Sequence, residues 1–235
     1  MATALSPPRS PRAFEAIASQ IRAELAAGRL GVGSRLPAER TMAAAFGVSR
    51  NTLREALRSL EHAGLLQHYK GARGGAVVTQ RSGDAIATGL QDLFDLGAVQ
   101  PAQLTEARIW LEAVVVREAC ARATDADLAE LRTNVTQTAA AQAAGDFAQR
   151  AEKNIEFHRI LARITGNPVI VVVMNGVLDV LRHFIDRIGP RANPHVLPSR
   201  RRFLAHLEAR DADAAVAEMQ RSLLKLQREY LSRSR

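Results

Sequence analysis

The sequence predicts a mainly α-helical chain of two domains: three short helices with one β-hairpin, then an all-α antiparallel bundle of six or seven helices. Three observations carry that prediction. Apolar residues recur at helical spacing over most of the 235 residues. Strand-like runs stand out at one place, residues 65–69 and 76–79, on either side of the glycine-rich, basic stretch 70–75. From about residue 84 onward, long helical patterns alternate with short breaks at Gly, Pro, Asp and Asn.

In chain order, residues 1–11 carry Pro and Arg without the apolar core of a secretion signal, and are expected to form a disordered basic arm. Phe14, Ile17, Ile21 and Leu25 mark a first helix that Gly28 closes. Residues 37–46 read as a second, short helix with Pro37 in its first turn and Gly47 as a left-handed stop. A turn of about three residues then leads to a third helix for which Ser49 is the N-cap. Val48, Leu53, Ala56, Leu57 and Leu60 give that helix one apolar face, and Arg50, Asn51, Thr52 and Arg54 crowd its opening turns.

That combination is what a DNA-reading helix needs. A guanidinium takes the guanine O6 and N7 acceptors bidentately, while Asn and Thr suit adenine edges, the thymine methyl or phosphate oxygens. The free amides and positive dipole of a helix N-terminus favour phosphate. Three helices of this kind followed by a basic hairpin make a winged helix-turn-helix, spanning residues 12–80. Charge agrees: the chain has 32 basic and 24 acidic residues, net +8, and the first 80 residues hold 11 basic and 5 acidic ones. Most of the excess lies where the motif lies, and counterion release gives such a patch salt-dependent affinity for nucleic acid.

Residues 81–84 read as a linker and 85–235 as the bundle, with helices at 84–96, 101–123, 125–144, 146–165, 168–188, 199–209 and 211–231. Asp84, Asp125, Asp146 and Asp211 stand at N-cap positions, and Gly97, Gly145, Gly166 and Gly189 where helices end. The break at 189–198 is the longest and is expected to be mobile. The single cysteine, Cys120, lies in an apolar helical context and reads as a buried structural thiol. No apolar run approaches the roughly 20 residues of a bilayer span, so a cytoplasmic location is expected and no membrane partner.

Residues 12–80 resemble the N-terminal domain of the GntR family of bacterial transcription regulators. The likeness rests on Gly33-Ser34-Arg35-Leu36-Pro37-Ala38-Glu39-Arg40, Val48-Ser49-Arg50 and Arg54-Glu55-Ala56-Leu57, linked motifs in the family's order. The resemblance implies DNA contact by Arg40, Ser49, Arg50, Asn51, Thr52 and Arg54, with Lys70 and Gly71 of the wing entering the minor groove. Arg35 and Arg58 are placed to touch phosphate.

The second half resembles the effector-binding domain of the FCD subgroup, through Leu104–Glu112, Asn154–Leu161, the Gly166-Asn167-Pro168 break and residues 211–215. Many members of that subgroup hold a metal with an acid or amide four residues before a histidine, plus two further histidines. Asn154 and His158 match the first pair, but Arg200 and Ser222 stand where the other two would be. A guanidinium is no ligand and an amide brings no charge, so the expectation is no cofactor, a weakly held divalent metal at Asn154 and His158 being the minority reading. Arg108 is the residue that the resemblance places in the cavity to pair with an acidic ligand.

The expected effector site is therefore Arg108, Asn154, His158, Arg200 and Ser222, and the expected guest a small organic acid, with or without an acyl tail. Other readings of these residues stay open: an Arg108–Glu112 pair one turn apart, a core histidine at 158, a solvated run at Arg200-Arg201-Arg202. The function read from the sequence is a ligand-responsive transcription regulator that binds a short pseudo-palindromic operator as a homodimer. An enzyme using His158 as base lacks a nucleophile, a carboxylate dyad or a phosphate loop beside it. A nonspecific architectural DNA protein would bind any duplex alike.

Overall fold

The computed structural model describes residues 13–69, 75–79, 84–191 and 193–233, which separate into two compact units, Met1–Ala85 and Ile86–Arg235. In the first, α1 (Ala13–Ala26), α2 (Glu39–Phe46) and α3 (Arg50–His62) precede an antiparallel pair, β1 (Leu66–Tyr69) and β2 (Gly75–Val78). The strand register runs from Leu66 opposite Val78 to Tyr69 opposite Gly75. Ile17 and Ile21 of α1 meet Leu53, Ala56, Leu57 and Leu60 of α3, and Leu66, Ala76 and Val78 close that core from the sheet. Leu53 and Leu60 are fully buried, and each such side chain contributes about 1.5–3 kcal/mol of burial.

The segment before α2 is extended rather than helical. Gly33 N–H donates to Val78 O at 2.8 Å, Val78 N–H to Ser34 O at 2.8 Å and Leu36 N–H to Ala76 O at 2.9 Å. Residues 33–36 thus pair with the edge of β2, which delays the helix to Glu39 and leaves Pro37 outside the first turn where the sequence put it. Gly47 (φ 64°) ends α2 in the left-handed region, and its N–H and that of Val48 satisfy the carbonyls of Ala44 and Ala43. A side chain at Gly47 would be strained there.

The second unit is all helix: α4 (Asp84–Asp95), α5 (Pro101–Arg122), α6 (Asp125–Ala143), α7 (Phe147–Ile164), α8 (Pro168–Ile188), α9 (Val196–Glu208) and α10 (Ala212–Leu231). α5 packs along α10, α6 along α7, α7 along α8 and α9 along α10. Their buried stripes make one core that includes Phe157, Leu161, Met174, Leu178, Phe203, Leu207 and Met219. Asp146 and Asp211 are N-caps as expected, accepting from Gln149 N–H at 2.9 Å and Ala214 N–H at 3.0 Å. For α6 the cap is Thr124 instead of Asp125. Its hydroxyl accepts from Asp127 N–H while the Asp127 carboxylate accepts from Thr124 N–H, a reciprocal box that moves Asp125 into the first turn.

Two further departures have local causes. α9 starts at Val196, three residues before the predicted start, because Pro198 falls in its first turn, where the missing N–H is unneeded. The break is accordingly shorter than expected. Arg210 takes φ 58° between α9 and α10, the place of a glycine. Its guanidinium donates to Cys120 O at 2.7 Å and to Ala123 O, capping the C-terminus of α5, an interaction that holds the strained backbone.

Contrary to the sequence reading, α8 is long and apolar enough to cross a bilayer, with a mean hydropathy of 1.7 over 18 residues. Its Met174, Leu178, Leu181 and Phe184 are instead buried in the bundle core, and its Asp179 and Arg182 pair with Arg159 and Glu152 of α7.

Candidate functional site

The N-terminal unit displays a basic, polar helix start. Ser49 is extended (φ −68°, ψ 152°), its Oγ accepts from Thr52 N–H at 3.1 Å, and the two hydroxyl oxygens lie 2.9 Å apart. The cap fixes the first turn of α3, from which Arg50 and Asn51 project into solvent. Arg54 donates to Glu39 of α2 at 3.0 Å, and Arg50 Nη2 stands 4.0 Å from the same carboxylate. Glu39 was not among the expected site residues. It lies between two guanidiniums that remain 62% and 44% exposed and limits their rotamers, which lowers the entropy lost when they meet a partner.

Arg40 is exposed at the start of α2, and Arg35 lies on the segment that bridges to Val77 of β2. Arg58 is exposed two turns along α3. Lys70 and Gly71, the expected wing tip, lie outside the described residues, as do the basic arm at 1–11 and residues 81–83 of the linker.

The C-terminal unit contains a buried cluster of charge. Arg108 and Glu112 project one turn apart from α5, Arg150, Asn154 and His158 from α7, Arg200 from α9 and Tyr230 from α10. Glu112 and His158 are essentially inaccessible, and Arg108, Arg150 and Arg200 are 5%, 2% and 6% exposed. Arg200 Nη2 donates to His158 Nε2 at 2.6 Å, and its guanidinium lies 3.9 Å over the Phe157 ring. Arginine has no acceptor, so Nε2 takes the hydrogen bond and the neutral imidazole carries its proton on Nδ1. Nδ1 abuts Glu112 Oε1 in a short contact, and Arg108 Nε stands 3.6 Å from that oxygen.

Burial raises the Glu112 carboxyl to about 7, and Arg108 and Arg200 oppose the rise. Burial, then the same two arginines, hold His158 well below the usual imidazole range, so it is neutral at pH 7. Burial also lowers Arg200, which Glu112 partly offsets.

Five arginines, Arg108, Arg150, Arg191, Arg200 and Arg233, line the cavity these residues surround, and no carboxylate is among its lining residues. Arg108 Nε, Arg150 Nε and Nη1, and Asn154 Oδ1 are buried without a hydrogen-bond partner. The cavity itself holds only about 30 Å³, room for a water or two, so an occupant larger than water requires the lining side chains to spread. The arrangement is a desolvated, positively charged hole with unused donors, and what it suits chemically is an anion.

Residues 13–77 match the family described as bacterial regulatory proteins, gntR family, and residues 103–225 match the FCD domain. The chain belongs to the GntR family. It is 33% identical over 180 residues to the HTH-type transcriptional repressor NanR of Klebsiella aerogenes, covering 74% of this chain and 68% of that protein. It is 35% identical over 154 residues to the repressor of the same name from Salmonella newport, covering 64% of this chain and 58% of that one. Among solved structures, the Streptococcus agalactiae GntR protein shares the fold, with a TM-score of 0.66 and 24% identity over 92% of this chain and 99% of its own. This GntR protein is a DNA-binding transcription regulator with an FCD domain, and Ser49, Arg50 and Arg54 sit at the head of α3.

Of the expected effector residues, Arg108, Asn154, His158 and Arg200 line one cavity and Ser222 does not. Ser222 is half-buried on α10, while Arg200 reaches Met219 Sδ at 3.7 Å and fills that side, so Leu226 and Tyr230 are the α10 residues at the cavity. The Arg108–Glu112 pair and the cavity role of Arg108 prove compatible, and Arg200 leaves the solvated run to its neighbours Arg201 and Arg202.

The residues do not suit the subgroup's metal. Arg200 occupies the His158 nitrogen that would ligate, and two guanidiniums face the place where a cation would sit. Among the described residues no three His, Cys, Asp or Glu side chains converge on a point. Sequence reasoning missed Arg150 and Tyr230. Arg150 was findable, since 150, 154 and 158 form one stripe at four-residue steps on a helix. Tyr230 carried no such signal.

Proposed function

We propose that this GntR regulator is a repressor whose hold on DNA is set by a small carboxylate bound in the bundle, without a resident metal. The observation that carries the reading is the cavity of five arginines with no lining carboxylate and with buried donors left unused. Leaving such groups unpaired costs about 1–3 kcal/mol each, and an anion removes that cost. Arg108 and Arg200 would grip the carboxylate as forks, with the side-chain amide of Asn154 donating a further hydrogen bond. The NanR repressors' name supports repression as the output.

The operator is a short pseudo-palindrome read by a homodimer, because two recognition helices related by a twofold axis read two half-sites. Trp110 and Val114, one turn apart on α5 and 64% and 55% exposed, offer apolar surface for self-association. The DNA contacts are Arg50, Asn51, Thr52 and Arg54 toward bases, with Arg35, Arg40, Ser49, Lys70 and Gly71 on the backbone and minor groove. Such a protein works where the chromosome is, in the bacterial cytoplasm. The effector changes DNA affinity only by as much as its own affinity differs between DNA-competent and incompetent states.

The test titrates purified full-length protein with short carboxylic acids in a calorimeter. Binding by wild type that Arg108→Gln loses is the expected result. Binding indifferent to Arg108→Gln, or none at all, overturns it. Turnover of any acid would instead favour an enzyme.

A further inference from the structure

The cavity's buried arginines stand at two ends of one helix stripe. Arg150, Asn154 and His158 follow at four-residue steps on α7, about 12 Å from first to last at a rise of about 1.5 Å per residue. Arg200 stands on His158 at one end, and Arg108 stands on Glu112, which touches the same imidazole. Arg150 stands at the other end, where its Nη2 donates to Arg191 O and its Nε and Nη1 have no partner. Tyr230 of α10 lines the same cavity, and its phenol is under the influence of both Arg108 and Arg150.

A single carboxylate held at the His158 end leaves Arg150 as a guanidinium 2% exposed with two idle nitrogens and no acid in the lining to neutralise it. We infer that the effector carries two anionic groups, one held by Arg108 and Arg200 and the second by Arg150, so that the pocket selects a dicarboxylate over a monocarboxylate of equal length. The inference rests on the carboxylate reading above and adds the second charge to it. At the Arg150 end the incoming group replaces the Arg191 carbonyl as acceptor, an exchange that favours the charged oxygen.

The experiment is calorimetric titration of the full-length protein with succinate, glutarate and adipate against butanoate, pentanoate and hexanoate, at pH 7.5. Wild type is expected to bind at least one diacid about tenfold or more tighter than its monoacid, the scale of one charge-assisted contact. Arg150→Gln should bring that pair to equal affinity, the diacid losing about tenfold more than its monoacid. Should Arg150→Gln fail to fold, Arg150→Lys retains the charge without the fork and is expected to keep a reduced preference. Equal affinities within every pair in wild type, or a diacid preference unchanged in Arg150→Gln or undiminished in Arg150→Lys, would overturn the two-anion inference and leave the carboxylate reading standing. Absence of binding by all six acids, or monoacid binding unaffected by Arg108→Gln, would overturn the carboxylate reading itself.

Discussion

Arginine is used in opposite ways in the two units. At the head of α3, Arg50 and Arg54 keep most or nearly half of their surface in water and share one carboxylate, Glu39. In the bundle, Arg108, Arg150 and Arg200 are all but sealed from solvent, and one carboxyl, Glu112, stands among them. An exposed guanidinium costs the fold little and is free to exchange water for phosphate or a base edge. A buried one with unused donors lowers stability unless an anion arrives. The first arrangement suits a surface that binds DNA by displacing counterions, and the second suits a sensor that is incomplete until occupied.

The comparison can be broken by measurements of decreasing size. Arg108→Ala is expected to lower the unfolding free energy by about 3 kcal/mol, because it takes the guanidinium of a buried ion pair away from Glu112, whereas Arg50→Ala should change it by less than about 0.5 kcal/mol. Urea denaturation of both variants checks this, and equal losses would erase the distinction. Arg50→Ala should instead weaken operator binding by about 1–3 kcal/mol and relax base preference at one position, read by fluorescence anisotropy on matched and mismatched duplexes. Retained preference would remove Arg50 from base readout. Ser49→Ala should cost about 1 kcal/mol of stability through loss of the cap.

A pH experiment sharpens the buried side. The folded Glu112 carboxyl, at about 7, keeps a proton that the unfolded chain releases near its ordinary value of 4.5. Protonation therefore supports the wild-type fold in full below 4.5, and that support is lost as pH rises through 7. Glu112→Gln cannot lose it, so the melting temperature of Glu112→Gln relative to wild type should climb between pH 5 and pH 8. A flat difference would mean that Glu112 is ionised throughout.

Much of this was legible in the sequence, and the reasons are local. The Ser49 cap, the Gly47 stop and the 53, 56, 57, 60 stripe each follow from neighbours within two turns, and all three are present in α3 and its approach. What could not be read depends on distant partners. The start of α2 waits on hydrogen bonds from residues 33–36 to β2, and the cavity's Tyr230 comes from a helix far along the chain from Arg108. His158 and Arg200 were picked out singly, but their mutual hydrogen bond exists only once α7 and α9 are packed. Ser222 was placed in the cavity by counting along the sequence, and the reach of Arg200 to Met219 displaces it.

The central claim is that occupancy of the buried arginines governs the exposed ones. The direct test is operator affinity of full-length protein, by anisotropy on a duplex selected from random sequence, with and without a saturating short dicarboxylate, for wild type and Arg108→Gln. Wild type should shift by about 5–150-fold, the range of ordinary allosteric coupling, while Arg108→Gln binds the duplex as wild type does without acid and does not shift. An undiminished response in Arg108→Gln, or a wild type indifferent to every acid, would contradict the account.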